Sequence, residues 1–104
     1  IIANAGSMTN QGGKLQAAGS SDLNLTVVGQ LDNSAAGKIS SGANTSVSAG
    51  SLKNDTGSLT AVGNLDATVS GAATNVGGTL AANGNTTLTA ASLDNSAGTT
   101  AAAT

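Results

Sequence analysis

The sequence predicts an all-β chain folded as a right-handed parallel β-helix, a solenoid of about 20–24-residue coils, on three observations. An asparagine recurs at Asn10, Asn33, Asn54, Asn75 and Asn95, with spacings of 23, 21, 21 and 20 residues. Within each unit, apolar and polar side chains alternate with period two, as in a strand with one buried face. Such a unit is also too poor in large side chains to stand alone. Roughly three or four aliphatics at about 1.5–3 kcal/mol each fall short of ordering roughly twenty residues at about 1.5 kcal/mol each. Units of this kind must stack, each coil hydrogen-bonding to the next while like residues build continuous interior columns. Right-handedness follows the usual chirality of parallel crossovers.

Taken in order, each unit reaches its corner asparagine through Met8, Leu31, Leu52, Ala73 or Leu93, two residues earlier. Glycine follows at Gly13, Gly37, Gly57, Gly78 and Gly98, and Leu15, Ile39, Leu59, Leu80 or Thr100 then opens a short alternating strand. A second polar marker, Asp22, Asn44, Asn64 or Asn85, turns the chain into another strand. The inward residues there are Leu23, Leu25 and Val27; Thr45, Val47 and Ala49; Leu65, Ala67 and Val69; Thr86, Leu88 and Ala90. Between them lie Asn24 and Thr26, Ser46 and Ser48, Asp66 and Thr68, Thr87 and Thr89, all suited to solvent.

Residues 1–104 are therefore expected to form one segment of about four and a half coils and three parallel sheets, part of a longer array. Its expected interior is Leu15, Leu25, Val27, Leu31, Ile39, Val47, Leu52, Leu59, Leu65, Val69, Leu80, Leu88 and Leu93. The corner asparagines Asn10, Asn33, Asn54, Asn75 and Asn95 read as a structural ladder, because Asn tolerates the left-handed backbone a corner needs and stacked amides bond to one another. One position earlier, Thr9, Asp32, Lys53, Thr74 and Asp94 should share a column, with Asp32 beside Lys53.

Composition removes most other functions. The chain has five Asp, three Lys, and no His, Cys, Glu, Arg, Pro or aromatic residue, which excludes most catalytic constellations, disulfides and thiolate metal sites. A net charge of −2 with scattered lysines and no stacking rings argues against nucleic acid as a partner. No apolar run approaches the roughly 20 residues of a membrane helix. Opening on Ile1 and Ile2, the sequence shows no basic region followed by a long apolar stretch, and so no signal peptide of its own. Gly37-Lys38-Ile39-Ser40 imitates the end of a phosphate loop but lacks the earlier glycine, and Gly12-Gly13-Lys14 lacks the Asp of a calcium-binding β-roll. Asp32 and Asp94 fall about three coils, roughly 14 Å, apart, too far for paired hydrolytic carboxylates. Neither enzyme activity nor a cofactor or metal site is expected. Asn24, Asn44, Asn54 and Asn85 each begin an N-x-S/T triplet, which in a secreted chain is a possible sugar acceptor.

The strings LDNSAAGKISSGANTSVSAGSLKN, GSLTAVGNLDATVSG and GTLAANGNTTLTAASLDNSAGT resemble the haemagglutinin repeats of filamentous haemagglutinin and the contact-dependent inhibition proteins. The resemblance covers nearly the whole chain. It implies a right-handed β-helical shaft within a very large exoprotein of Gram-negative bacteria, secreted by two-partner secretion to the cell surface. It further implies an outer-membrane secretion pore as partner, and a receptor on host or neighbouring cells engaged through other segments. A chain without Cys or Pro suits threading through such a pore. A shaft holds distal binding or toxin modules away from the cell. The alternative is a direct surface-binding β-helix, with an ice-binding or glycan- or cell-adhesive face, built from the ranks Asn24/Thr26, Ser46/Ser48, Asp66/Thr68 and Thr87/Thr89. Among these only Thr87 and Thr89 form a Thr-x-Thr pair, and Asp66 places a hydrated charge mid-rank. Exposed strand edges on the terminal coils make end-to-end self-association a further expectation.

Overall fold

In the computed structural model, which describes residues 2–96 and 98–102, thirteen strands and no helix wind into about five stacked coils of about 21 residues. The strands are β1 (Ile2–Ala5), β2 (Met8–Thr9), β3 (Lys14–Ala17), β4 (Leu23–Asp32), β5 (Lys38–Ser41), β6 (Thr45–Lys53) and β7 (Ser58–Ala61). They continue as β8 (Leu65–Val69), β9 (Ala72–Thr74), β10 (Thr79–Ala82), β11 (Thr86–Thr89), β12 (Ser92–Asp94) and β13 (Thr99–Ala102). Every pairing is parallel.

Three faces are present but only two hydrogen-bonded sheets, where three were expected. One face is the five-stranded sheet β3-β5-β7-β10-β13. The other two belong to one sheet, because β4 and β6 run without a break across the corner that elsewhere separates β1 from β2, β8 from β9 and β11 from β12. Its second face is β1, the first part of β4 and β6, β8 and β11; its third is β2, the last part of β4 and β6, β9 and β12.

Glycine makes that corner possible. Gly6, Gly29, Gly50 and Gly71 stack there, and the Gly29 amide donates to the Gly6 carbonyl at 2.7 Å and the Gly71 amide to the Gly50 carbonyl at 2.8 Å. A Cβ on Gly29 or Gly71 would sit 2.8 or 2.7 Å from the carbonyl oxygen of the coil beneath, which real Cβ atoms do not tolerate. The backbones approach as closely as they do because no side chain stands between them.

Register carries the alternation into the interior. Leu25, Val47, Ala67 and Leu88 are successive partners, as are Leu31, Leu52 and Ala73, and Ile39, Leu59 and Leu80. Ten of the thirteen expected interior residues are buried, together with Leu23, Ala17, Ala49, Ala61, Ala67, Ala73 and Ala82. Three differ. Leu15 and Leu88 are only partly buried and Leu93 is 49% exposed, since they lie in the first and last described coils and are covered from one side alone. Thr45 sits in the interior column among leucines; its hydroxyl donates to the Thr60 carbonyl at 3.0 Å and accepts from the Ser41 hydroxyl at 2.8 Å, as a buried polar atom requires.

The position before the corner glycine takes a left-handed backbone in successive coils: Gly12 (φ 62°), Ala36 (φ 66°), Thr56 (φ 55°) and Gly77 (φ 65°). A β-branched residue is the least suited to that region. Thr56→Gly should therefore stabilise the fold by about 1 kcal/mol, the left-handed penalty being roughly 1–2 kcal/mol less the entropy glycine adds to the unfolded chain. Chemical denaturation of the two proteins checks this, and an unchanged or lower midpoint would show that the Thr56 hydroxyl, which donates to the Asp55 carbonyl at 2.6 Å, matters more than the strain.

Candidate functional site

Inside the corner between the third and first faces, the five asparagines form a continuous column. Asn10 Nδ2 donates to Asn33 Oδ1, Asn33 Nδ2 to Asn54 Oδ1, Asn54 Nδ2 to Asn75 Oδ1 and Asn75 Nδ2 to Asn95 Oδ1, each at 2.8 Å. The second N–H of each amide reaches a carbonyl one coil further on: Lys38 at 3.0 Å, Ser58 at 2.9 Å, Thr79 at 3.0 Å and Thr99 at 3.2 Å. Asn33 and Asn54 are 0% exposed and Asn75 1%. The arrangement gives both donors of Asn10, Asn33, Asn54 and Asn75 a partner on the next coil without water, and these eight bonds point the same way along the axis.

The second marker column does related work by another route. Asp22 Oδ1 accepts from the Asn44 amide N–H at 3.0 Å, Asn44 Oδ1 from Asn64 at 2.9 Å, and Asn64 Oδ1 from Asn85 at 2.9 Å. Each side chain thus bonds the backbone of the next coil from an exposed position. Of the four sugar-acceptor triplets, Asn54 is closed off in the buried column, whereas Asn24 stands exposed on β4.

Thr9, Asp32, Lys53, Thr74 and Asp94 do share one column, and Asp32 is the direct strand partner of Lys53. The carboxylate's hydrogen bonds go elsewhere. Asp32 Oδ1 accepts from Ser34 Oγ at 2.6 Å and from the Ser34 amide at 3.0 Å, and Oδ2 accepts from Gln11 Nε2 at 2.8 Å. Asp94 repeats the turn with Ser96 Oγ at 2.6 Å and the Ser96 amide at 3.1 Å. The Ser34 hydroxyl holds Asp32 below its usual range, with smaller help from the Ser34 amide, Gln11 and the Lys53 charge, against the opposing effect of burial. Asp94 is lowered by the Ser96 hydroxyl and amide.

Both folded pKa values being depressed, the stability these turns supply is present above the unfolded carboxylate range, about 3.9, and is lost as pH falls through the folded values. Ser34→Ala should raise the Asp32 titration midpoint and Ser96→Ala that of Asp94, each leaving the other unmoved. Carboxyl carbon shifts followed by NMR against pH read both, and a common shift of the two would mean that the turns do not act locally.

On the outer side of the second face, Asn24/Thr26, Ser46/Ser48, Asp66/Thr68 and Thr87/Thr89 lie in register from coil to coil. Where that face bends, an open groove of about 260 Å³ runs past Thr26, Ser48, Thr68, Val28, Gly50 and Ser70. Val28, 80% exposed, stands at its rim, where β4 bulges by one residue against β6 between Val27 and Gln30. Among the described residues no group of three or more Asp side chains is placed to hold a metal ion. Glycine columns also occupy the remaining corners, Gly6/Gly29/Gly50/Gly71 and Gly42/Gly63/Gly84, and the first of them is a set of positions that the sequence pattern did not single out. Its spacings of 23, 21 and 21 residues stand in the sequence, but against fifteen glycines they do not stand out.

The haemagglutinin-repeat family model matches residues 1–34, 16–77 and 60–104, which together span the chain. The chain belongs to the haemagglutinin repeat family. Haemagglutinin repeats are structural and adhesin repeats rather than an enzyme family, in keeping with corners and columns that are each occupied by structural contacts. No curated protein and no solved structure matches this haemagglutinin-repeat chain.

Proposed function

We propose that these coils are a shaft segment of a large secreted bacterial surface protein, a spacer that holds adhesive or toxin modules away from the cell. The reading rests on one observation above the others. The same coil-to-coil interface repeats in register along the chain, with inward column, corner amide and corner glycine renewed each time, so that adding coils extends the rod without altering its section. Membership of the haemagglutinin repeat family supports a filamentous adhesin setting and secretion to the surface. Two-partner secretion through an outer-membrane pore, a receptor met by other segments, and toxin delivery in contact-dependent inhibition are parts of the same proposal.

The spacer reading is tested in the exoprotein that carries the coils. Deleting residues 50–70 joins Ala49 to Gly71, which is the coil partner of Gly50 through its amide. The rod should shorten by one coil, about 4.8 Å, while cell binding or killing persists. Asp66→Ala and the pair Thr87→Ala with Thr89→Ala should leave binding intact too. Loss of binding in those point variants with an unchanged circular-dichroism spectrum would overturn the spacer reading and assign recognition to the second face.

A further inference from the structure

We propose that Asn83 is a deamidation site guarded by the fold: the Gly84 nitrogen displaces its side-chain amide as ammonia when this corner opens, and the closed corner prevents it. Asn83 is the only asparagine in the chain that glycine follows. With no Cβ on residue 84, nothing crowds the backbone nitrogen as it closes on Asn83 Cγ. Asn83 lies at the corner between β10 and β11 and is exposed. Val62 holds the same position one coil earlier and is 55% exposed with a coil on either side, so the exposure belongs to the corner and not to a place in the stack. The column asparagines contrast with it. Asn33, Asn54 and Asn75 are buried, and both N–H groups of each are bonded.

The reaction needs only water. The Gly84 nitrogen forms a bond to Asn83 Cγ, the Cγ–Nδ2 bond breaks, and Nδ2 leaves as ammonia with the proton that Gly84 gives up. The product is a five-membered cyclic imide. Water then adds to one of its two carbonyl carbons. Opening at Cγ restores the backbone and leaves aspartate, whereas opening at the main-chain carbonyl carbon routes the chain through the former side chain, as isoaspartate.

In the closed corner the attacking nitrogen is engaged. The Gly84 N–H donates to the Gly63 carbonyl at 2.7 Å, between the Asn83 N–H on the Ala61 carbonyl at 3.2 Å and the Asn85 N–H on Asn64 Oδ1 at 2.9 Å. Residue 84 also lies hard against the coil beneath, since a Cβ there would stand 2.8 Å from the Gly63 carbonyl oxygen. Ring closure requires this peptide to turn off Gly63 and its nitrogen to lose its proton, so the reaction waits for local opening. The two products then differ in the refolded chain. Aspartate keeps the spacing of the Asn83 and Gly84 amides; isoaspartate inserts a methylene between them, and they no longer meet Ala61 and Gly63 together. The site is set by one corner and holds whatever the rod carries.

The test is peptide mapping by mass spectrometry of the 104-residue chain after incubation in mildly alkaline buffer, with and without denaturant, the β-sheet of the native sample being followed by circular dichroism. In denaturant Asn83 should be converted before every other asparagine, and Gly84→Ala should slow that conversion several-fold. In native buffer the conversion at Asn83 should be slower by about tenfold or more. Earlier loss at another asparagine, an unslowed Gly84→Ala chain, or equal rates in the two solutions with the β-sheet intact would overturn the proposal. The products give a second reading. An Asn83→Asp chain should melt with the parent and the refolded isoaspartyl chain below it; isoaspartyl and Asn83→Asp chains that melt alike would show that the corner bonds are not the guard.

Discussion

Gly57→Ala should abolish much of the stability of this fold, by about 3 kcal/mol or more, since overpacking a tight site costs about 1–3 kcal/mol even where neighbours are able to move. A Cβ at Gly57 would fall on the Asn33 carbonyl oxygen and lie 2.9 Å from Asn54 Oδ1. Neither obstacle is the free end of a flexible side chain. The carbonyl is fixed backbone at the corner, and Asn54 Oδ1 is held by Asn33 Nδ2 at 2.8 Å. Relief demands that whole coils separate, which breaks the bonds above and below. Two other glycines calibrate the effect. Gly77→Ala, whose nearest contact is Thr56 Cγ2 at 3.6 Å, costs only its left-handed backbone, about 1–2 kcal/mol. Gly6→Ala, with nothing within 4 Å of its Cβ and no left-handed backbone to strain, should be neutral or stabilising by up to about 1 kcal/mol. Thermal melts of the three variants check the order, and a Gly57→Ala protein no weaker than Gly77→Ala would show that the corner yields.

Breaking the amide column in its middle should have the next largest effect. Asn54→Leu leaves Asn75 Oδ1 and the Thr79 carbonyl without their donor and Asn33 Nδ2 without one of its acceptors. At about 1–3 kcal/mol for each of the two acceptors left unpaired, Asn33 Nδ2 keeping the Ser58 carbonyl, the loss should be about 2–6 kcal/mol. Asn54→Asp is more telling, because its shape is unchanged. The new carboxyl still accepts from Asn33 Nδ2, but its other oxygen faces Asn75 Oδ1 and the Thr79 carbonyl, both acceptors. Ionised, it is an unpaired buried charge, a defect of about 3–5 kcal/mol; protonated, it donates to one of them. Its folded pKa is therefore raised, so stability is retained below the unfolded value of about 3.9 and lost as pH rises through the folded value. Denaturation at pH 3 and pH 7 should show Asn54→Asp much closer to the parent chain at the lower pH. An equal deficit at both would place the damage in packing rather than in the direction of the amide.

How far these effects were legible in the sequence depends on what each residue type announces. Leucine at period two announces a buried strand face, and Leu25, Leu59 and Leu65 are buried where the alternation put them. Asparagine at 20–23-residue intervals announces a corner, and the registers of Asp32 with Lys53 and Ile39 with Leu59 follow from aligning those corners. Glycine announces less, since it serves equally for a left-handed turn such as Gly12 and for the backbone contact at Gly50. Burial at the ends was beyond pattern alone: Leu93 carries the same motif as Leu31 and Leu52, and only the presence of a coil on each side distinguishes them. The merging of two faces into one sheet was hidden too, because the same glycine stands at the corner in β4 and β6, which run through Gly29 and Gly50, and between β8 and β9, which break at Gly71.

The corners differ in the number of residues they hold, and that has a consequence for how such a rod measures distance. Partner residues are 24 apart from Lys14 to Lys38 but 20 apart from Lys38 to Ser58, yet Leu15, Ile39 and Leu59 remain in one column. Slack in chain length is spent sideways, in wider bends such as Ser34-Ala35-Ala36, and none of it reaches the axial rise. The rod is a ruler graduated in asparagines rather than in residues: small insertions at its corners roughen its outline and leave its reach unaltered, while reach changes only by whole graduations of about 4.8 Å.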